Sequence, residues 1–124
     1  METNAEGIAN YFDQSIIDYK EGTNYLQKAL PEVGEHYLSF TDACFKAGTI
    51  GEKEKQLMAL GISVYAQDEY CIIYHTKGAV DNGATEEEIA ETIGVSAALG
   101  GGAAFAQGVT LAMDTFHYYN SQTH

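Results

Sequence analysis

The sequence predicts an all-α fold of about six helices in antiparallel packing, on the strength of three observations. Apolar residues recur every three or four positions along nearly the whole chain, which is the period of an α-helix. Only one proline occurs. No segment alternates convincingly at the two-residue period of a strand. With 124 residues we expect one domain over 1–124, with N-terminal helices over 1–50 and a core over 51–119 that carries a Cys-x-x-x-His helix.

The N-terminal half predicts two helices and the start of a third. A first apolar stripe is interrupted by Gly22 and then resumes. Pro31 suits the opening turn of the second helix, and Gly48 is a plausible stop after it. The apolar residues of this second helix are spaced 4-3-4-3, and we expect Cys44 to pack among them as a small apolar side chain. These residues are Val33, Tyr37, Phe40, Cys44 and Ala47. A third helix is expected over about 52–65.

The C-terminal half predicts three more helices. The fourth carries the Cys-x-x-x-His motif and ends near Asn82-Gly83, and the fifth begins with a capping box between Thr85 and Glu88. Three glycines at 100–102 suggest either small residues that let helices approach closely or a sharp helix junction. A phosphate loop is disfavoured, because no Lys-Ser/Thr follows them and no strand precedes them. The last helix is expected to bury residues spaced 4-3-4-3. These are Phe105, Val109, Ala112, Phe116 and Tyr119.

Charge and composition exclude several classes of partner. The formal net charge is −12, and an acidic surface repels both phosphate backbones and anionic lipid, so we expect neither a nucleic-acid nor a membrane partner. The N-terminus lacks the basic charge and apolar run of a signal peptide. Two cysteines without a disulfide framework suit a reducing compartment, and a cytoplasmic location is expected.

One predicted helix face carries a carboxylate, a thiol and an imidazole: Asp68, Cys71 and His75. At i and i+4, His75 would stand one turn from Cys71, and a protonated imidazole there would favour the reactive thiolate. An ionised Asp68 would act in the opposite direction. The alternative is a buried structural cysteine beside a buried histidine. No metal or other cofactor is expected, since zinc signatures usually bring paired ligands from separate segments.

Three stretches in this order resemble the alkylhydroperoxidase D-like, or carboxymuconolactone decarboxylase, superfamily. They are residues 55–60 (Lys-Gln-Leu-Met-Ala-Leu), residues 69–75 (Glu-Tyr-Cys-Ile-Ile-Tyr-His), and Gly-x-Thr-x-x-Glu-Ile over 83–89. The resemblance covers roughly 52–107. It implies the helical fold of that family and a homo-oligomer, commonly a trimer or a hexamer.

The redox members of that superfamily carry Cys-x-x-Cys-x-x-x-His with a glutamate on the preceding helix. The second cysteine attacks a peroxide, the first closes a disulfide, and the glutamate and histidine relay protons. The resemblance therefore implies that Cys71 is the nucleophile and His75 the relay, while Asp68 stands in place of the first cysteine and Gln56 in place of the glutamate. Asp68 cannot form the disulfide, and Gln56 can orient a group but cannot accept a proton.

Three functions follow as hypotheses. The first is a thiol-dependent peroxidase, an antioxidant oxidoreductase in which Cys71 reduces a hydroperoxide and an external thiol reductant restores it. The second is a decarboxylase-type lyase acting on a small carboxylated ring, with His75 as acid and base. Lys77 is the only basic residue close to the motif, which counts against this lyase. The third is a non-catalytic oligomeric protein in which the motif is structural.

Overall fold

Helices make up nearly all of the part of the chain that the structure, a computed structural model, describes: the backbone of residues 4–123 and the side chains of 11–122. The elements are α1 (Asn4–Ala29), α2 (Pro31–Phe45), α3 (Glu52–Ala66), α4 (Glu69–Asp81), α5 (Glu86–Gly100), α6 (Gly102–Gln107), a π-helical turn (Gly108–Ala112) and α7 (Met113–Thr123). The last three run without a break and form one rod, so the described residues contain six rods and no strand. The predicted all-α fold is confirmed.

Helix α4 lies at the centre and packs against α1, α3 and α7. Its residues Ile72, Ile73 and Ala79 have no more than 1% of their surface exposed. A two-residue connection reverses the chain between α3 and α4: Gln67 takes the left-handed conformation at φ 57° and closes α3, and Asp68 caps α4. Since such a short turn leaves neighbouring helices antiparallel, it sets α3 against α4 along their length.

The start of α5 and the junction after it match the sequence prediction. The Thr85 hydroxyl accepts from the N–H of Glu88, and the Glu88 carboxylate accepts from the N–H of Thr85. Lys53 on α3 binds the same carboxylate at 2.9 Å. Gly101, at φ 82°, breaks the chain direction between α5 and α6. The triple glycine is therefore a helix junction.

The π-helical turn changes which face of the last rod is buried. The regular 4-3-4-3 spacing predicted burial of Phe105 and Val109, but these side chains are 53% and 44% exposed. Ala104 and Gly108 are buried in their place. A π turn inserts one extra residue, so the buried face shifts by one position along the sequence. Downstream of the turn the prediction is correct, since Phe116 is buried.

Helices α1 and α2 form a hairpin in which Gly34 is essential to the close approach, since a Cβ there would lie 2.8 Å from the Cα of Gln27. Cys44 was expected to pack within the apolar face of α2, and in the single chain this face is exposed. Tyr37 is 57% exposed, Phe40 is 65% exposed, and Cys44 is exposed as well. Periodicity identifies an apolar face but does not say what covers it.

Asp13 joins α1 to the last rod by accepting hydrogen bonds from the hydroxyls of Tyr118 and Tyr119, both at 2.8 Å. These bonds and burial raise the pKa of both tyrosines. Phe12 packs beside them and is buried. Among the described residues, no helix is both long enough and apolar enough to cross a bilayer.

Replacing Asp13 by alanine is expected to lower the free energy of unfolding by about 2 kcal/mol, because two hydrogen bonds to a charged acceptor are lost. Urea unfolding followed by circular dichroism measures this change. Asp18→Ala is the matched control: Asp18 lies on the same helix and accepts only a local bond from Gln14. Equal effects of the two substitutions would contradict the role assigned to Asp13.

Candidate functional site

Cys71 lies in the first turn of α4, half-buried, between Asp68 and the α3 residue Ser63. The Asp68 carboxylate accepts from the backbone N–H of Cys71 at 3.2 Å and so caps the helix. Burial, followed by the hydrogen bond and charge of Asp68, raises the pKa of the Cys71 thiol to about 11. The thiol is therefore protonated at neutral pH.

Ser63 is the neighbour that opposes this shift, because its hydroxyl favours the thiolate and lowers the pKa of Cys71. That hydroxyl carries one hydrogen, which it donates to the carbonyl of Ala59 at 2.7 Å. It supports a thiolate only when it rotates from this carbonyl towards the sulfur. Ser63 was missed in the sequence, although it stands seven residues after Gln56 and so shares its face of α3.

His75 lies one turn beyond Cys71, and its Nδ1 is 2.9 Å from Oε1 of Gln56. An amide oxygen only accepts, so this bond assigns the proton to Nδ1 and leaves Nε2 as the basic nitrogen. Burial lowers the pKa of His75, and the charge of Asp68 opposes this only in part. A neutral imidazole is thus expected at neutral pH.

Glycine at position 78 makes the bond between Gln56 and His75 possible, because a Cβ there would overlap the side-chain amide of Gln56. Gln56 binds the edge of the His75 ring, and one face of that ring stacks on Phe45, with ring centroids 5.4 Å apart and planes 10° apart. Phe45 ends α2 and gave no signal in the sequence, since this contact joins elements distant in the chain.

The four residues predicted for the site, Gln56, Asp68, Cys71 and His75, therefore all lie where α3 meets α4. The expected thiolate held by a protonated His75 does not fit the electrostatics. The groups that shift the pKa of Cys71 are Asp68 and Ser63, and the shifts of Cys71 and His75 favour a neutral thiol beside a neutral imidazole. Of the two groups expected to act on Cys71, Asp68 is the one that shifts its pKa, upwards and after burial.

A pair of tyrosines packs together close to Cys71. Tyr19 of α1 packs on Tyr74 with ring centroids 5.1 Å apart, and burial, then the neighbouring Cys71, raises its pKa. Tyr19 also lines a cleft of about 520 Å³ between α1 and α2. The other lining residues are Asp18, Gly22, Thr23, Leu26, Gly34, Tyr37, Leu38 and Tyr70. The cleft thus offers apolar and hydroxyl groups and one carboxylate.

The remaining histidines lie on the surface. His36 is 3.8 Å from Glu32, and His117 is 3.7 Å from Glu86. His124 falls outside the described residues. Within the described part of the chain, no three His, Cys, Asp or Glu side chains gather as a metal site would require.

The fold and site define a small all-α protein with a single-cysteine Cys-x-x-x-His centre. The profile of the Carboxymuconolactone decarboxylase family matches residues 31–114, and the chain belongs to that family. A carboxymuconolactone decarboxylase family protein from Legionella pneumophila, crystallised in its apo form, superposes with a TM-score of 0.84 at 28% identity, over 90% of this chain and 98% of the other.

Two relatives of this chain are uncharacterised proteins. One, from the cox locus of Paracoccus denitrificans, is 35% identical over 79 residues, which is 64% of this chain and 71% of the relative. The second, from Cupriavidus necator, is 27% identical over 77 residues, or 62% and 68% of the two chains. The resemblance seen in the sequence is confirmed at the level of the family.

Replacing Asp68 by asparagine is expected to raise the alkylation rate of Cys71 at pH 8 about threefold to tenfold. Asparagine caps a helix as well as aspartate does, so α4 stays intact while the charge that raises the pKa of the thiol is removed. Iodoacetamide labelling resolved by peptide mass measures the rate, with Cys44 as internal reference. Asp81→Asn, at the far end of the same helix, should leave the rate unchanged; an unchanged rate in Asp68→Asn would contradict the assignment.

Proposed function

We propose that the protein is a thiol-dependent oxidoreductase that reduces hydroperoxides, with Cys71 as nucleophile and His75 as general base. The observation that carries this proposal is the neutral imidazole whose tautomer Gln56 fixes, one helical turn from a half-buried thiol. A buried thiol with a high pKa reacts poorly alone and needs a base that accepts its proton during attack. His75 Nε2 supplies that base.

The proposed step conserves atoms and charge. Nε2 of His75 takes the thiol proton of Cys71 as the sulfur attacks the terminal oxygen of the hydroperoxide. The O–O bond breaks, and the alkoxide leaves with the proton from His75 as an alcohol. Cys71 is thereby oxidised to a sulfenic acid. One external thiol then forms a mixed disulfide and releases water, and a second restores the Cys71 thiol and leaves as the oxidised reductant.

An uncharged organic hydroperoxide fits the surroundings best. Lys53 and Lys77 are paired with Glu88 and Asp81, and Lys55 donates to backbone carbonyls. The cleft beside Tyr19 carries a carboxylate and no cation among its lining residues. A carboxylated substrate would therefore be repelled, while an alkyl or aryl group would pack against the tyrosines.

Cys71→Ser is expected to abolish consumption of cumene hydroperoxide, and His75→Gln to slow it about 100-fold, the usual contribution of a general base. The assay follows loss of hydroperoxide in the presence of dithiothreitol between pH 6 and 10. Because the pKa of Cys71 is raised, the residual rate of His75→Gln should climb with pH as the thiolate forms. Cys44→Ser is the control and should retain the parent rate. Full activity in Cys71→Ser would refute the proposal.

A decarboxylase-type lyase is the second candidate, and the electrostatics of the pair favour it in one respect. With a raised pKa at Cys71 and a lowered pKa at His75, the thiol keeps its proton at neutral pH while the neutral imidazole can accept one. In that case His75 would act alone, and Cys71 would only pack. The lyase then predicts that Cys71→Ser retains activity towards a small carboxylated lactone while His75→Gln loses it. The engaged lysines count against this candidate.

We also propose that the protein is a homo-oligomer that buries the groove between α3 and α5. The groove measures about 710 Å³ and is lined mainly by apolar side chains. Ile62, Val95 and Leu99 are 68%, 69% and 81% exposed, and exposed apolar residues grouped in this way mark association surfaces.

Sedimentation velocity is expected to give a mass well above that of one chain, and Leu99→Glu should shift it downwards with helical content retained. A charge placed in an apolar interface loses hydration without gaining a partner. Asn24→Glu, at an exposed position of α1, is the control. A parent protein that sediments as a monomer would refute the proposed assembly.

A further inference from the structure

Lys55 makes two contacts that the proposed reaction does not use. Its Nζ donates to the carbonyl of Cys44 at 2.8 Å and to the carbonyl of Lys46 at 2.6 Å. Both carbonyls belong to the C-terminal end of α2, where helix carbonyls lack partners within the helix. A lysine there satisfies them and also complements the negative end of the helix dipole.

Phe45 lies between these two carbonyls in the sequence, and its ring stacks on His75 with planes 10° apart. The next residue of α3, Gln56, holds Nδ1 of the same imidazole. Consecutive residues of α3 thus act on His75 by two routes. Gln56 binds Nδ1 at the edge of the ring directly. Lys55 binds the end of α2, and the Phe45 ring at that end stacks on the face of the imidazole.

We propose that Lys55 is a positioning residue that anchors the end of α2 and thereby holds Phe45 against the imidazole of His75. The stack leaves the ring one orientation, in which Nε2 remains the nitrogen available for proton transfer. It also withholds one ring face from water, and burial is the first cause of the lowered pKa of His75. Asp68 is the charged group that opposes this shift, and none of the test substitutions alters Asp68.

The test replaces Lys55 by methionine, which keeps most of the side-chain length and removes the donor. Proton NMR titration of the imidazole signals gives the pKa of His75, whose signal is assigned from its loss in His75→Gln. The pKa is expected to rise towards the about 6.5 of an exposed imidazole, because the end of α2 loosens and Phe45 uncovers the ring. Phe45→Ala should raise it in the same direction, and Lys55→Arg should restore the parent value.

Lys53→Met is the matched control, since Lys53 lies on the same helix and binds Glu88 instead of α2. It should leave the titration of His75 unchanged. If Lys55→Met lost its helical circular dichroism, Lys55→Ala, which also removes the donor, would take its place. An unchanged pKa of His75 in Phe45→Ala, or an unchanged pKa in Lys55→Met that retains its helical content, overturns the proposal.

Hydroperoxide consumption is a second readout, and only this one rests on the proposed function. Both Lys55→Met and Phe45→Ala are expected to lose about tenfold or more in kcat, since misplacing a catalytic group by a fraction of an ångström is costly. A parent protein without peroxidase activity would refute the proposed function, while the titration would still test the role of Lys55. A normal kcat in both variants of an active parent would overturn the positioning role.

Discussion

The hydrogen bond between His75 and Gln56, 2.9 Å long, is the interaction on which the chemistry of the site depends. It requires α3 and α4 to approach closely, and Gly78 allows that approach, since a Cβ at this position would overlap the Gln56 amide. The bond carries no charge. A carboxylate at position 56 would stabilise an imidazolium, whereas an amide oxygen orients the ring and leaves it neutral. A neutral, oriented imidazole is a base.

The carboxylate that position 56 lacks beside His75 is present beside Cys71, where Asp68 supplies it. As the cap of α4 it stabilises the helix that carries both reactive groups, because an aspartate in this position satisfies an unpaired N–H. The same charge raises the pKa of Cys71. In the arrangement implied by the redox family, a glutamate accompanies the histidine and a second cysteine accompanies the nucleophile. In this chain an amide replaces that glutamate, and a carboxylate replaces that second cysteine. Both departures favour uncharged forms, so in the proposed reaction the proton would move from Cys71 to His75 during the attack and not before it.

The sequence predicted what depends on local order. Helix periodicity placed Cys71 and His75 on one face, and the capping box at Thr85 located the start of α5, because both depend on spacings within a single helix. Residue spacing did not predict what depends on packing between helices; Gln56 was placed in the site only by the family resemblance. The spacing of α2 marked Cys44 as apolar but not as exposed, and a π turn moved burial from Val109 to Gly108 without a motif. Phe45 reached the site through a contact between α2 and α4 that no local pattern encodes.

Recycling of Cys71 is the step that these departures constrain most. In the proposed cycle, a sulfenic acid on this sulfur would have an aspartate where the redox family supplies a thiol, so its reduction would have to come from outside the motif. The Cys71 side chain is half-buried, and Tyr19, which interacts with Cys71, packs its ring on Tyr74. In the proposed cycle, a half-buried sulfur would be reached more easily by a small thiol than by a thiol fixed on the surface of a folded protein. The burial of Cys71 would therefore favour a low-molecular-weight reductant in that cycle, and the acidic surface would favour one without net negative charge.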